Sequence, residues 1–338
     1  MEKLNTIIIT RAGLRAALAM LVISPCIISC GEDPPDAGDG HSISDKKSDG
    51  ESGACSSSTR VGGIEVDVDL NNPTISGAFA DGVVPRTKLW EVKDSKIGDC
   101  RLVQERVPSC DEDCASDETC DFNGECIKYP LNHSVGVVLL EGLSKPVKID
   151  PTGKPGHVRY NFTDLTSPIV TPGTRIIVQA KGASDDFEGF TLHGQGVEYM
   201  KIPNGDLVLG RGKDLKIDWT PGGHDAMITL KIDINQHGAS PINIICEVKD
   251  TGSYTIPGAL VTKLIEDGVT GYPSLAIRRW SGERMNSDDV KDACIDFEIS
   301  SSLVKNVKVE GHIPCDNDDD CPAGMTCDKK NQTCVDAS

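Results

Sequence analysis

The sequence is poor in aromatic side chains and in positive charge. Its 338 residues contain only 3 Trp, 5 Tyr and 6 Phe, and 34 Lys and Arg stand against 52 Asp and Glu, for a formal net charge of −18. So few rings argue against an aromatic-lined carbohydrate groove or a base-stacking platform, although a few well-placed rings could still serve. The acid excess would repel phosphate backbones over most of the surface, so the sequence predicts no nucleic-acid partner.

Recognisable catalytic motifs are missing as well. There is no His-Glu-x-x-His zinc motif, no Gly-x-Ser-x-Gly nucleophile elbow and no Walker-type phosphate loop. His224 and Asp225 could join a distant Ser in a triad, because triads are defined by geometry rather than spacing. Their setting, Pro-Gly-Gly-His-Asp, instead indicates a hairpin turn. The sequence therefore names no catalytic residue and predicts no cofactor.

Cysteine, by contrast, is abundant, with 14 residues. That is too many for an ordinary reduced cytosolic protein and too few for a small scaffold held by disulfides alone. The count predicts an oxidising compartment and folded domains that also have hydrophobic cores.

The N-terminal segment has the pattern of a signal peptide. Three basic residues (Lys3, Arg11 and Arg15) precede an apolar run over 16–28, which is the length of a signal-peptide core and short for a membrane span. The stretch Ile27-Ile28-Ser29-Cys30 resembles the lipobox of bacterial lipoproteins. Cys26 fits that pattern less well, because it follows Pro25. We expect residues 1–29 to be a lipoprotein signal peptide; the alternative is an ordinary signal peptide with Cys30 incidental.

The lipobox resemblance implies a membrane anchor on Cys30. In lipoproteins this cysteine becomes the first mature residue and carries a diacylglyceryl group and an N-acyl chain, and several acyl chains anchor a protein stably. The next residue is Gly31 rather than Asp, which resembles lipoproteins that are sorted to the outer membrane. The expected location is therefore the outer membrane, facing the periplasm or the cell surface.

Residues 30–60 read as an acidic disordered tether. They consist mainly of Gly, Ser, Asp, Pro and Lys with almost no apolar side chain, and cannot bury enough surface to offset the entropy of ordering. A coil of this length extends on the order of 30 Å on average, enough to lift a domain off a lipid headgroup layer.

The rest of the chain predicts an all-β fold. Ile64, Val66 and Val68 alternate with Glu65 and Asp67, which places aliphatic side chains on one face of a strand and acids on the other. The same alternation recurs over 215–219, 228–234 and 295–299, and further strand candidates are 88–92, 135–140, 147–149, 158–162, 175–180, 244–248, 275–279 and 304–309.

Short strands separated by turn residues are typical of antiparallel sandwiches. We expect one or two antiparallel β-sandwich domains, over 61–170 and 171–312, with two small disulfide-stapled Cys-rich modules. The division rests on two Pro and a Gly over 167–173, which could equally be a loop within one domain. One helix is predicted, from Pro257 to a stop at Gly268.

Eight cysteines form two clusters that look like copies of one module. The first is an insert within 100–127 and the second occupies 313–338. Neither has enough aliphatic side chains for a core, so two internal disulfides must supply the order of each. Zinc is the rival interpretation, but the gaps lack the Cys-x₂-Cys spacing that is typical of zinc sites. The eight are Cys110, Cys114, Cys120 and Cys126, and Cys315, Cys321, Cys327 and Cys334.

Four cysteines permit three connectivities, which a sequence cannot distinguish. Within each cluster we favour first-to-third and second-to-fourth bonds. Of the other four cysteines, Cys246 and Cys294 lie in strand-like segments and are expected to bridge two strands, with Cys55 bonded to Cys100.

The second module also contains the densest group of acids in the chain. Asp316, Asp318 and Asp320 are a weak candidate for a Ca²⁺ site, although they lack the spacing of an EF-hand. The alternative is a solvated acidic loop.

The whole layout resembles uncharacterised Cys-rich surface lipoproteins of myxobacteria and related bacteria. The segments 214–222 (DLKIDWTPG) and 244–257 (IICEVKDTGSYTIP) carry this resemblance. It implies a location and an architecture but no activity.

Taken together, these patterns predict a membrane-anchored lipoprotein that is a non-enzymatic binding or structural module of the cell envelope. Its expected partners are the membrane, through the lipid, and a protein or glycan of the envelope. The alternative is an extracytoplasmic hydrolase or its accessory binding domain, which a pocket with converging acids or His of perturbed pKa would favour.

Overall fold

The computed structural model describes residues 50–85, 88–92, 95–183, 187–203, 205–235, 241–287, 290 and 293–337. The predicted signal peptide, Cys30 and the first part of the predicted tether lie outside these residues. Within the described residues, no helix has the length and apolar character that a membrane crossing requires.

The described residues form 23 strands, one α-helix and one 3₁₀ turn. The first eight strands are β1 (Glu51–Ser52), β2 (Arg60–Asp67), β3 (Thr74–Ala80), β4 (Lys88–Glu91), β5 (Cys100–Arg106), β6 (Glu118–Cys120), β7 (Cys126–Lys128) and β8 (Asn132–His133). They are followed by β9 (Val138–Glu141), β10 (Val147–Ile149), β11 (Tyr160–Phe162), β12 (Arg175–Ala180), β13 (Phe190–Gln195), β14 (Val208–Leu209), β15 (Leu215–Asp218) and β16 (Met227–Asp233). The remaining elements are β17 (Ile242–Lys249), β18 (Ser253–Ile256), α1 (Gly258–Asp267), β19 (Ser274–Asn286), β20 (Cys294–Asn306), β21 (Lys308–Val309), the 3₁₀ turn (Asp318–Asp320), β22 (Met325–Asp328) and β23 (Thr333–Asp336).

One large sheet runs through the molecule in the order β11-β3-β2-β20-β19-β16-β17-β5-β4, with β1 paired to β19 and β8 to β3. Its centre is a hairpin of two 13-residue strands, β19 and β20. All its pairings are antiparallel except that of β2 with β20, which is parallel. The predicted all-β class with stapled Cys-rich modules is confirmed, but β19 and β20 are much longer than the short strands expected.

A four-stranded sheet in the order β10-β9-β12-β13 packs on one half of the large sheet. Together they enclose a first core, in which Ile64, Val66 and Phe297 of the large sheet meet Leu140 and Ile176 of the smaller one. The alternation seen in the sequence explains this packing, because Ile64 and Val66 are buried while Glu65 and Asp67 are exposed.

A second core lies under the other half of the large sheet. Ile228, Leu230 and Ile232 of β16 pack there against β15, β18 and α1. The helix runs over Gly258–Asp267, starts after Pro257 and ends at Gly268, whose φ of 121° suits a residue without a side chain. Its predicted bounds are confirmed, and its apolar face is the one that the sequence indicated, with Leu260, Val261, Leu264 and Ile265 buried.

The division of the body at residue 170 is not where the structure divides. Strands β12 and β13 follow that position but belong to the first core, and β5 precedes it but belongs to the second. Strands from both sides of residue 170 share the large sheet. The two cores therefore lie side by side against one continuous sheet. The chain does not form two separate sandwiches one after the other.

The end of the predicted tether also needs correction. Strand β1 pairs with β19, with Glu51 opposite Arg284, and Cys55 is bonded to Cys294. Residues 50–60 are thus part of the fold, because a disulfide and sheet hydrogen bonds hold a segment whose composition alone would not fold.

Six disulfides join all twelve cysteines after Cys30. Both modules have the favoured first-to-third and second-to-fourth bonds, namely Cys110–Cys120, Cys114–Cys126, Cys315–Cys327 and Cys321–Cys334. The first module begins after β5, so Cys100 lies outside it.

The expected pairing of the other four cysteines is wrong. The bonds are Cys55–Cys294 and Cys100–Cys246. Strands β5 and β17 are antiparallel neighbours with Cys100 directly opposite Cys246, which fixes that bond. Their adjacency links residues 146 positions apart, and no local pattern reveals it.

The outer edge of β13 is closed by side chains rather than by another strand. Glu283 accepts the His193 N–H at 2.8 Å, and Ser281 accepts the Gln195 N–H at 3.1 Å. Both acceptors are on β19, so the large sheet satisfies backbone donors that would otherwise be left unpaired at the corner of the sandwich.

A buried ion pair lies at the boundary between the two cores, on the face of the large sheet that covers both. On the same face of β19, Ile277 belongs to the second core, and Ser281 pairs with Ile299 of the first core. Between them lies Arg279, which is fully buried and donates to Asp250 through Nε at 2.7 Å and Nη2 at 3.3 Å.

The remaining donors of Arg279 are also satisfied. Nη1 donates to the carbonyls of Glu198 and Tyr199, and Nη2 to that of Thr220. Asp250 in turn accepts from Trp219 Nε1 at 2.7 Å and from the Gly222 N–H at 2.8 Å. This complete network makes the buried charges tolerable and ties three loops to the central hairpin.

We expect Arg279→Met to lower the free energy of unfolding by roughly 3–5 kcal/mol, because it leaves the carboxylate of Asp250 buried without a cation. Arg211→Met is the matched control. Arg211 and its partner Glu266 are each 59% exposed, so its loss should cost at most about 1 kcal/mol. Equilibrium unfolding in urea measures both changes, and equal costs for the two variants would contradict the role of Arg279.

Candidate functional site

The large sheet has a second face, turned away from both cores. We call it the polar face. On β2 the residues that alternate with the buried Ile64 and Val66 are Glu65 and Asp67, and both are exposed. On β20 the corresponding residues are Asp296, Glu298 and Ser300.

The parallel pairing of β2 with β20 brings these acids side by side. Gly63 lies opposite Asp296, Glu65 opposite Glu298, and Asp67 opposite Ser300. Neighbouring side chains on one face of a sheet are about 5 Å apart, so unpaired carboxylates here would repel one another.

Two arginines neutralise the acids. Arg60 donates to Asp296 Oδ1 and to Glu65 Oε1, each at 2.8 Å, and Arg278 donates to Glu298 Oε2 at 2.5 Å. Asp296 also accepts the Cys55 N–H at 3.0 Å and its side chain is fully buried. The segment bearing Cys55 and Arg60 therefore covers this acid and fixes its position.

Two glycines permit close packing in this cluster, Gly63 beside the charged groups and Gly282 beside the backbone of β20. A Cβ on Gly63 would lie 2.1 Å from Asp296 Oδ1 and 2.8 Å from Arg60 Nη2. A Cβ on Gly282, which is opposite Glu298 on β19, would lie 2.0 Å from the carbonyl oxygen of Phe297. The arginine of the first pair thus lies where a side chain of β2 would otherwise stand.

Burial shifts the protonation of this cluster. Desolvation raises the pKa of Asp296 above its usual value, although the Arg60 guanidinium opposes the shift. Desolvation likewise raises the pKa of Glu298 against the opposing effect of Arg278. The pKa of Asp67 is also raised, chiefly by desolvation. The polar face therefore contains three acids that hold protons more readily than free side chains do.

A groove crosses the polar face over this cluster. It consists of two adjoining cavities of about 400 and 550 Å³, within the size range of small-molecule sites. One end is lined by Gly63, Ala78, Ala80, Phe122 and Arg159, the other by Asp67, Thr74, Arg278, Glu298, Ser300 and Ser302, and the shared middle by Ser57, Arg60, Glu65 and Ser76. Phe122 comes from the first Cys-rich module, which places a half-buried ring against one end of the groove.

The acids proposed for Ca²⁺ are used differently. Asp320 accepts the N–H groups of Asp316 and Asn317, and Asp318 accepts that of Cys327. Asp316 accepts from the Gln332 side chain. These carboxylates stabilise the turns of the module instead of converging. Among the described residues, the only groups of three potential metal ligands within 4.8 Å are cysteines, and those are in disulfides.

His224 and Asp225 lie in an exposed loop that joins β15 to β16. Because β15 pairs with β18 and not with β16, the segment is a connection between two sheets and not the expected hairpin turn. Within the described residues, the His224 side chain has no hydrogen bond to a Ser or Thr hydroxyl.

The sequence did not predict the groove, although it did indicate which acids of β2 and β20 face away from the core. The alternation in β2 and β20 placed Glu65, Asp67, Asp296 and Glu298 on solvent-facing sides of two strands. Their association depends on a parallel pairing between residues more than 200 positions apart. Arg60 lies in the segment that the sequence predicts to be a disordered tether, so the sequence does not indicate its ion pair with Asp296.

The sequence matches no protein-family model and no curated protein. Two solved structures are similar in part. One is a tetra-tandem repeat in the extending region of a large adhesion protein, with 11% identity over 75% of this chain and 76% of that chain and a TM-score of 0.19. The other contains the FN1–FN3 domains of chicken CNTN1, with 9% identity over 68% of this chain and 69% of that chain and a TM-score of 0.17.

We expect Gly63→Ala to break the Arg60–Asp296 pair, because the added methyl group would overlap both partners. The free energy of unfolding should fall by roughly 2–4 kcal/mol. Gly82→Ala is the control, since its Cβ would make only ordinary contacts, at 3.5 and 3.7 Å, with Pro130. Urea unfolding compares the two, and a tolerated Gly63→Ala would show that the pair does not need this space.

The raised pKa values predict a pH dependence of stability. A carboxyl whose pKa is higher in the folded than in the unfolded chain binds more protons when folded, so its contribution to the free energy of unfolding falls as pH rises through that window. Asp296 and Glu298 should thus make the protein more stable as the pH is lowered through their raised pKa values towards the ordinary carboxyl pKa of about 4.

Asp296→Asn should flatten this rise, as measured by unfolding at several pH values. Asp206→Asn is the control, because Lys308 lowers the pKa of Asp206, so the contribution of Asp206 to stability is constant above the ordinary carboxyl pKa and the variant should keep the same slope there. An unchanged slope in Asp296→Asn would contradict the assignment.

Proposed function

We propose that this protein is exported, anchored in the bacterial outer membrane through a lipid on Cys30, and acts as a non-enzymatic binding module of the cell envelope. The groove on the polar face is its binding surface. Its partner is a component of the envelope that reaches the protein beyond the membrane.

The observation that carries the proposal is the pairing of the cysteines. All twelve that follow the lipobox-like segment are in six disulfides, and four of these bonds hold two modules that have no core of their own. Such a protein needs an oxidising compartment to fold, which supports export. The only cysteines left over are Cys26 and Cys30, and a lipid anchor accounts for the second.

The chemistry of the groove favours binding over catalysis. Each of three acids, Glu65, Asp296 and Glu298, is held by an arginine. A catalytic acid or base has to exchange a proton with a substrate, which a tight ion pair hinders. In the described part of the chain, no His lines either cavity of the groove. The groove therefore has the character of a preformed surface of hydrogen-bonding groups.

A hydrolase is the second candidate, and one observation favours it. Glu65 and Glu298 are neighbours across β2 and β20 in a groove, and burial raises the pKa of Glu298. Two carboxyl groups with different environments are the minimum that acid–base hydrolysis of a glycoside requires. This function would need Glu298 to leave Arg278 when a substrate binds.

We expect a clickable fatty acid fed to the producing cells to label the full-length protein in the membrane fraction, with Cys30→Ala abolishing the label. Cys26→Ala is the matched control and should keep both the label and the membrane fraction. Gel fluorescence and detergent partition measure the two properties. The anchor at Cys30 would be contradicted if Cys30→Ala were still labelled, or if Cys26→Ala lost the label.

A further inference from the structure

We propose that the groove binds an uncharged oligosaccharide, with one sugar ring against Phe122 and the following rings over the acids and hydroxyl groups of β2, β3 and β20. This inference rests on the proposed binding function of the groove and names its ligand class.

The charges of the groove lining balance, with three acids (Glu65, Asp67 and Glu298) and three arginines (Arg60, Arg159 and Arg278). The guanidinium groups of Arg60 and Arg278 already donate to carboxylates. A phosphate or carboxylate ligand that binds an arginine of the groove would also meet the acids Glu65 and Asp67. A cationic ligand would meet the three arginines. Since attraction and repulsion cancel for either sign, the groove selects a neutral molecule.

The same pairs leave the carboxylates with capacity to accept hydrogen bonds. A carboxylate has about four acceptor positions, and one bond from an arginine leaves the others open while fixing the orientation of the group. Thr74, Ser76, Ser300 and Ser302 add hydroxyl groups along the same end. A dense row of acceptors and hydroxyls is complementary to a ligand that carries many hydroxyl groups.

The other end of the groove is suited to the apolar face of a sugar ring. Its floor consists of the small residues Gly63, Ala78 and Ala80, and Phe122 stands beside it. Phe122 and this small-residue floor together give the groove an apolar slot that suits the C–H groups of a ring. The scarcity of aromatics in the chain is compatible with this slot, which needs one ring.

The position of the groove disfavours an extended peptide. Peptides commonly add a strand to a free sheet edge, using unpaired backbone groups. Here β2 and β20 are each paired on both sides, so the groove offers side chains and no free backbone ladder. The groove crosses five strands, from β11 to β19, which is roughly 19 Å at the usual strand spacing and is long enough for several sugar rings.

The test uses the full-length chain in a detergent without a sugar headgroup, titrated calorimetrically with neutral glucose and N-acetylglucosamine oligomers of increasing length. We expect binding that strengthens with length until the groove is filled. Phe122→Ala and Glu65→Gln should each weaken it by about tenfold, through loss of the ring contact or of the carboxylate acceptor. Tyr129→Ala is the control: Tyr129 is 51% exposed, close to the same module and outside the groove lining, so binding should not change.

Phe122→Leu keeps an apolar side chain and guards against misfolding of Phe122→Ala; it should also weaken binding. The proposal is overturned if no oligomer binds, if Phe122→Leu binds as well as the wild type, or if inorganic phosphate binds instead and gains affinity in Glu65→Gln, where Arg60 has lost a competing carboxylate. Cleavage of a bound oligomer would support the ligand class but contradict the non-enzymatic function. Absence of the lipid label with intact binding would contradict only the anchor.

Discussion

The buried contact between Arg279 and Asp250 is the constraint on which the two-core architecture depends. One continuous sheet covers two hydrophobic cores, and the switch occurs on a single face of β19. At the boundary between the cores, the buried residue of β19 is Arg279 instead of an aliphatic residue. All N–H donors of its guanidinium group are satisfied. The network holds loops at Glu198, Thr220 and Asp250 against the hairpin, so it positions the layers over both cores. Its cost in desolvation is offset only because every polar group in it is paired.

Arginine–carboxylate pairs also organise the polar face of the large sheet. The chain has 52 acids and 34 basic residues, and the fully buried carboxylates of Asp250 and Asp296 are each paired with an arginine. Arg60 and Arg278 fulfil this role for the cluster on β2 and β20. Inside the molecule, the satisfied pair stabilises the junction of the cores. On the polar face, the pairs fix the positions of Glu65 and Glu298 in the lining of the groove and of the buried Asp296 beneath it, and Cys55–Cys294 keeps the Arg60 segment in place.

The two Cys-rich modules show how disulfides replace a core. Their acids accept backbone N–H groups within the module, as Asp121 does from Asn123 and Glu125 and Asp328 from Lys330. The density of Asp in these segments, which in the second module made Asp316, Asp318 and Asp320 a candidate Ca²⁺ site, is thus explained by turns that need capping. The first module also places Phe122 in the lining of the groove, so a segment held by disulfides contributes to the candidate site.

The class of fold, the strand faces, the helix and the membership of the two Cys-rich modules follow from the amino-acid sequence alone. These features depend on neighbours in the chain: alternation with a period of two, a Pro and a Gly at the helix ends, and cysteines clustered in two short segments. The bonds within each module, the bonds of Cys55 and Cys100, the sharing of one sheet by two cores and the assembly of the groove come from the tertiary structure. The last three of these depend on which distant strands become neighbours, and that choice is made by the fit of whole apolar faces rather than by any local pattern.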